Sequence, residues 1–364
     1  MPKVILVSTF PLPYSKIGSW TTMYRNYLES GNHNIDHIIC EMPDYQFPGV
    51  RYTIVKENLW MKVRRKLHYY RIGYMDALKS VLQPDEKYVI QLVDNFNMAD
   101  RIHEMLTQMG IRQNCFIQLF YHGYDPFLPA QGVSNDFYSD VDGLVLLTHD
   151  SYRSHLNYYT VFPIGVSVLY NGIDAGRFKK VDANEKTRIR QELGLSGNKI
   201  FLWCSQDRPK KGLDLILQAW RLINEKHPGN FLMVVGADRR QPVENVKFFG
   251  RIPNDDLPKY YQAADCYLFP TLCHEGFGLS LIEALNCGCH CIASGQGGVP
   301  EVLQHGKLGR LIENPNFVSE WEQAIADFIT GKDDPIVLDH PIYTQEEWAK
   351  SMNDIIDIAK KSLS

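Results

Sequence analysis

The chain has 364 residues, 45% of them hydrophobic and 22% charged, with a formal net charge of -4. That length exceeds one hydrophobic core and fits two domains of roughly 150 to 200 residues, and the composition excludes disordered and fibrous classes and gives no sign of bulk nucleic-acid binding. The eight cysteines are too sparse for a disulfide scaffold, and no apolar run reaches the roughly eighteen residues of a membrane span or forms an export signal, so a reducing cytoplasm is expected.

In chain order, "KVILVST" predicts a first strand with a helix from about Trp20. "DHIIC" is the next strand, "KYVIQLV" leads into a helix through "ADRIHEMLTQM", and "CFIQLFY" and "GLVLLT" continue the rhythm. Apolar strands alternating with amphipathic helices imply a parallel sheet covered on both faces. After "VSVLYNGID" the polar stretch Lys179 to Asn198 has few apolar anchors, and a domain boundary is expected in this region. The second half repeats the alternation: strand "KIFLWC", helix "LDLILQAWRLINEK", strands "FLMVVG" and "VKFFG", helix "LPKYYQAA", strand "CYLFP", helix "LSLIEAL", strand "HCIAS" and a late helix from about Gln345. The expected organisation is α/β, with a doubly wound domain over 1–175, a second over 176–344, and a terminal helix over 345–364 packing back toward the first. Ligands of such sheets bind outside the carboxyl ends of the strands, so a cleft faced by both domains is the default site.

One strand-to-helix turn carries unusual chemistry. "HEGFGLSLIEALNCG" places Glu275 before a glycine-aromatic-glycine turn and Glu283 early in the following helix. The backbone amides of Gly276, Phe277, Gly278 and Leu279 lie where a phosphate finds donors and a favourable dipole. A helix terminus alone contributes only about 0.3 to 1 kcal/mol to an exposed anion. "SQDRPKKGLDL" supplies Arg208, Lys210 and Lys211 after another strand, and charge-assisted hydrogen bonds from such cations contribute roughly 1.5 to 3 kcal/mol each. Carboxylates beside a diphosphate make sense as acceptors for hydroxyls, which a nucleotide sugar offers on its ribose and its hexose.

"EGFGLSLIEA" resembles the glutamate, seven residues, glutamate signature of retaining GT-B glycosyltransferases of family four. The resemblance extends through "KKGLDLILQAW", "FFGRIPNDDLPKYYQAADCYLFPT", "ALNCGCHCIASGQGGVPEVLQHGKLGRLI" and, more faintly, "LYNGIDAGRF", covering the second domain almost completely and the first weakly. It implies a GT-B fold of two Rossmann-like domains facing across a cleft, and retaining transfer of a hexose from a nucleotide sugar, a uridine diphosphate sugar first, to a hydroxyl of a glycan or lipid-linked glycan. The implied setting is bacterial surface polysaccharide synthesis.

By the same resemblance Glu275 contacts the donor hexose, Glu283 the ribose diol, and Lys211 the diphosphate. The family's glycine-arginine pair is replaced by Ser205 and Gln206, with Arg208 two residues later as the substitute cation. Arg251 and Ile252 would meet the nucleobase through main chain, Gly18 and Ser19 would cover the phosphates, and His122 would reach the donor sugar. Asp94 and Asn95 are candidate acceptor contacts at a strand end. No cofactor or metal is required, because the cations and amides carry the leaving-group charge.

Three further signals are weighed. "DVD", Asp140 to Asp142, resembles the metal motif of the other large glycosyltransferase fold but precedes a strand of the first domain, where a surface turn is expected. Cys287, Cys289 and Cys291 in "CGCHC" lack a second ligand pair with zinc spacing. "WMKVRRKLHYYR", Trp60 to Arg71, is basic and aromatic, so it fits peripheral contact with an anionic membrane at the inner face of the plasma membrane, a solvated basic face or an acceptor-phosphate site. The rival functions are a nucleotide-sugar epimerase on the same fold and a catalytically silent glycan-binding or partner subunit.

Overall fold

The computed structural model describes residues 1–14, 19–56, 72–126, 137–158, 164–239, 242–333, 336 and 338–364. It divides into two compact units, Met1–Asn171 with Gln345–Ser364, and Gly172–Thr344. The division falls between Asn171 and Gly172, a few residues before the 175/176 boundary expected.

The first unit is built on seven strands: β1 (Lys3–Val7), β2 (His37–Cys40), β3 (Arg51–Ile54), β4 (Tyr88–Val93), β5 (Cys115–Tyr121), β6 (Gly143–Leu146) and β7 (Gly165–Val168). They lie in the order β3-β2-β1-β4-β5-β6-β7, every neighbouring pair parallel. All residues of β2, β4 and β6 are buried, so these strands read as continuous apolar runs rather than alternating ones. Two polar residues face each other inside this sheet, Gln91 Nε2 donating to Gln118 Oε1 at 2.9 Å, which pairs one donor and one acceptor of the two buried carboxamides.

The helix Gln345–Ser362 belongs to this unit although 173 residues intervene between its start and Asn171. Its buried residues Trp348, Met352, Ile355, Ile356 and Ala359 recur at helical spacing and complete the cluster that includes Tyr24, Tyr27 and Leu28. The Trp348 ring meets Tyr24 and Tyr27 edge-on, both at 5.5 Å between centroids.

The second unit has six parallel strands, β8 (Ile200–Cys204), β9 (Phe231–Val235), β10 (Val246–Phe248), β11 (Cys266–Phe269), β12 (His290–Ser294) and β13 (Arg310–Ile312), in the order β10-β9-β8-β11-β12-β13. Trp203, Trp220 and Trp321 are fully buried in it. In both sheets the strand order reverses beside the first strand, between β1 and β4 and between β8 and β11. Such a switch point leaves a crevice at the carboxyl ends because the flanking connections run to opposite sides.

The polar stretch Lys179 to Asn198 is not a linker. It holds the helix Ala183–Glu192, capped by the Asp182 side chain accepting from Glu185 N–H at 2.9 Å. Its few apolar anchors, chiefly Ile189, are supplemented by Lys186 and Arg190, which pair with Asp265 just before β11 at 2.9 and 2.7 Å. Charge, which hydrophobic periodicity does not register, attaches this helix.

Candidate functional site

In the second unit the loops after β8 and β11 converge at the switch point. Gly212 ends the short turn Pro209–Lys211 with φ 69°, and a Cβ there would lie 2.0 Å from the Pro270 carbonyl oxygen. Only glycine permits both the left-handed backbone and that approach. Leu272 N–H donates to Lys210 O at 2.8 Å, and the buried Trp203 indole donates to Lys211 O at 3.1 Å. The phosphate-loop candidate is therefore fixed from both sides before any ligand arrives.

This packing brings Lys211 and Glu275 together. Lys211 Nζ donates to Glu275 Oε1, and the Thr271 hydroxyl donates to the same oxygen at 3.1 Å. The two charged side chains are 21% and 19% exposed, which leaves them reachable while reducing solvent screening. Glu275 is also held through its backbone: it forms a parallel bridge with Gly297, and Gly298 N–H donates to its carbonyl at 2.8 Å. A Cβ on Gly297 would lie 2.4 Å from that carbonyl oxygen, so the second glycine serves close approach between the β11 and β12 loops.

Glu283 lies in the helix Leu279–Asn286, whose N-cap Gly278 has φ 90°. Burial pushes its carboxyl up to about 7, with the Tyr261 hydroxyl and Arg177 pulling the other way. Arg177 reaches toward the loop after β10, donating to Asn254 O at 2.9 Å and pairing with Asp255 at 3.2 Å. Arg251 is exposed and Ile252 half-buried on that loop. Phe277 turns its ring inward, 2% exposed and edge-on to Tyr343 at 5.6 Å, so its side chain belongs to the packing of the turn. Arg208 is exposed at the start of the Pro209–Lys211 turn. Beside it, Arg239 clamps Asp207 by two bonds of 2.7 and 3.1 Å and also binds Asp214.

In the first unit, Asp94 and His122 meet at the ends of β4 and β5. Asp94 adopts φ 48° and accepts from His122 N–H at 2.8 Å, while His122 Nδ1 lies 3.1 Å from its other oxygen. The carboxylate selects the tautomer with its proton on Nδ1 and leaves Nε2 for another partner. Asn95 is buried, its Nδ2 directed at Met98 Sδ, 2.6 Å away, so its side chain does not present itself as an acceptor contact. Ser19 opens the helix Ser19–Glu29, and Gly18 lies outside the described residues, as does the basic stretch 60–71.

The "DVD" residues have structural partners. Asp142 accepts from Arg112 Nη2 through both carboxylate oxygens at 2.9 Å and from the Ile117 N–H at 2.7 Å, and Asp140 lies 3.7 Å from His103. Cys287, Cys289 and Cys291 are buried thiols, with burial pushing all three up; Cys289 donates to Tyr261 O at 3.2 Å. Arg177 and Arg239 escaped the sequence reading because each joins the site through a partner distant in the chain, and Thr271, only four residues from Glu275, because a lone threonine at a strand end carries no motif. "LYNGIDAGRF" carried a faint signal for Arg177 only.

The two sheets, with Lys211 and Glu275 at a switch point, define a GT-B fold. Over 99% of this chain and 97% of its own, sucrose-phosphate synthase from Thermosynechococcus elongatus superposes with a TM-score of 0.66 at 18% identity, a likeness of fold. Residues 185–342, within the second unit, match the family model described as glycosyl transferases group 1. The GDP-mannose-dependent alpha-(1-6)-phosphatidylinositol monomannoside mannosyltransferase of Mycolicibacterium smegmatis is 28% identical over 43% of this chain and 45% of its own length. The D-inositol 3-phosphate glycosyltransferase of Segniliparus rotundus is 31% identical over 47% of this chain and 41% of its own. The chain thus spans about half the length of these curated relatives. Among the described residues no helix is long and apolar enough to cross a membrane.

Proposed function

We propose that the protein is a retaining, metal-independent glycosyltransferase that moves a hexose from a nucleoside diphosphate sugar to a hydroxyl of a glycan or lipid-linked glycan. The observation that carries this reading is the Lys211–Glu275 pair at the β8/β11 switch point. A diphosphate brings more negative charge to Lys211 than one carboxylate does, so donor binding draws the lysine away and frees Glu275 to accept from hexose hydroxyls. Glu283 accepts from the ribose diol. Lys211, Arg208 and the amides at Gly276–Leu279 then stabilise the charge developing on the leaving phosphates.

Retention is what the family resemblance implies. No carboxylate in the sequence motifs is an obvious covalent nucleophile, so in this reading the acceptor hydroxyl attacks on the leaving-group face. Its oxygen forms the new bond to the anomeric carbon as the carbon-phosphate oxygen bond breaks, and its proton passes to a phosphate oxygen. The donor is a uridine diphosphate hexose on the sequence reading; the mycolicibacterial relative is named for GDP-mannose, so guanosine diphosphate sugars stand beside it in the test.

The experiment is acceptor-free turnover of a panel of uridine and guanosine diphosphate hexoses. Slow release of nucleoside diphosphate, sharply reduced in Glu275→Ala, supports the transferase. Epimerised donor supports the rival enzyme, and binding without turnover supports a silent subunit. Flotation with anionic vesicles at low and high salt tests peripheral membrane attachment through 60–71.

A further inference from the structure

Next to Glu275, the carboxyl ends of β11, β12 and β13 enclose an open cavity of about 460 Å³, lined among others by Leu272, Gln296, Glu313, Asn314, Asn316 and Phe317. Neither Arg208 nor Lys211 lines it, and none of the diphosphate chemistry above uses it. Its volume falls within the roughly 300 to 1,000 Å³ of small-molecule sites.

The walls are held in place. Gly295 N–H donates to Ile312 O at 2.8 Å, joining the β12 and β13 loops, and Phe317 N–H closes a turn on Asn314 O at 3.1 Å. Pro315 O, inside that turn, accepts from the indole of fully buried Trp321 at 3.0 Å. The Asn314–Phe317 turn is thus anchored in the core, and ordering it costs a ligand little. The rim nevertheless leaves Phe317 60% and Leu272 38% exposed, although the helix Val318–Ile329 that follows Phe317 buries its own apolar face.

The lining chemistry selects a ligand class. Carboxamides of Gln296, Asn314 and Asn316 both donate and accept, which suits hydroxyls that also do both. Phe317 offers an aromatic face to an apolar one, such as the C–H face of a pyranose ring. No lysine or arginine lines the cavity and Glu313 does, which disfavours phosphates and other anions. The cavity is also continuous with the site: Leu272, Cys273 and His274 run directly into Glu275, and Gln296 precedes the Gly297 that bridges to it.

We propose that this cavity is a subsite for a neutral glycan, holding sugar rings of the acceptor beside the hexose that Glu275 receives. The inference rests on the transferase reading above. The test titrates the full chain with neutral disaccharide probes, methyl mannobioside, methyl cellobioside and methyl maltoside, followed by saturation-transfer NMR and by the side-chain amide signals of Asn314 and Asn316.

At least one probe is expected to bind, to shift those amides, and to lose about tenfold in affinity in Phe317→Ala. Phe317 is mostly exposed, so this variant should unfold at the wild-type temperature, and Asn314→Ala gives a second, independent loss. Absence of binding by all three probes, unchanged affinity in both variants, or displacement of the disaccharide by inorganic phosphate would overturn the subsite. Binding of UDP and GDP to the wild-type chain is measured separately. Nucleotide binding without disaccharide binding sinks the subsite alone, and disaccharide binding without nucleotide binding sinks the donor reading instead.

Discussion

Glu283 gives the most decisive test, because its stability and binding consequences have different readouts. Its carboxyl ionises near pH 7 in the folded chain, against 4.5 ordinarily, so between those values the native state binds the proton that the unfolded chain has lost. Stability must therefore fall as pH rises through this window. At 1.36 kcal/mol per unit the difference amounts to about 3 kcal/mol. Glu283→Gln cannot ionise and escapes that loss. Urea unfolding, followed by the fluorescence of the tryptophans buried in the second unit, should show the variant gaining about 3 kcal/mol relative to wild type between pH 4 and pH 8. Any steric cost of the substitution cancels in that comparison. Parallel pH curves for the two proteins would refute the burial argument. The same residue should report the ligand: hydroxyls donating to the carboxylate favour its ionised form, so nucleoside diphosphate binding near pH 7 should release a proton from wild type and not from the variant. Calorimetry in buffers of different ionisation enthalpy reads this directly.

Lys211→Met should weaken UDP or GDP binding roughly 10- to 100-fold through loss of a charge-assisted contact, measured by calorimetry; affinity within twofold of wild type would remove Lys211 from the diphosphate site. Gly212→Ala should abolish nucleotide binding and lower the unfolding temperature of the second unit, since the new methyl would overlap the Pro270 carbonyl; a crystal structure with the loop unmoved would contradict this. Trp348→Ala should destabilise the first unit by about 3 to 5 kcal/mol, read as an earlier urea transition, because the terminal helix loses its contact with Tyr24 and Tyr27.

Much of the architecture was legible because parallel sheets bury both faces, and runs such as "KYVIQLV" and "KIFLWC" then have little alternative to being interior strands. Short or partly exposed strands such as Arg51–Ile54 and Arg310–Ile312 gave no such signal, and the ion-paired helix Ala183–Glu192 lies in the polar stretch where a domain boundary was expected. Glu275, Glu283 and Lys211 were singled out as candidates from their places at strand-to-helix turns and from the family resemblance of the motifs around them. Spacing says nothing about partners 64 residues apart in sequence, such as Lys211 and Glu275, or about the dyad in which Asp94 holds His122 instead of standing free. The sequence alone thus determined the strand-helix alternation and the residue types available at each turn, both consequences of local periodicity. Only the tertiary structure decided which turns meet, how far burial raises Glu283, and that a cavity lined by no lysine or arginine adjoins Glu275, because those properties depend on packing between segments that the chain order keeps apart.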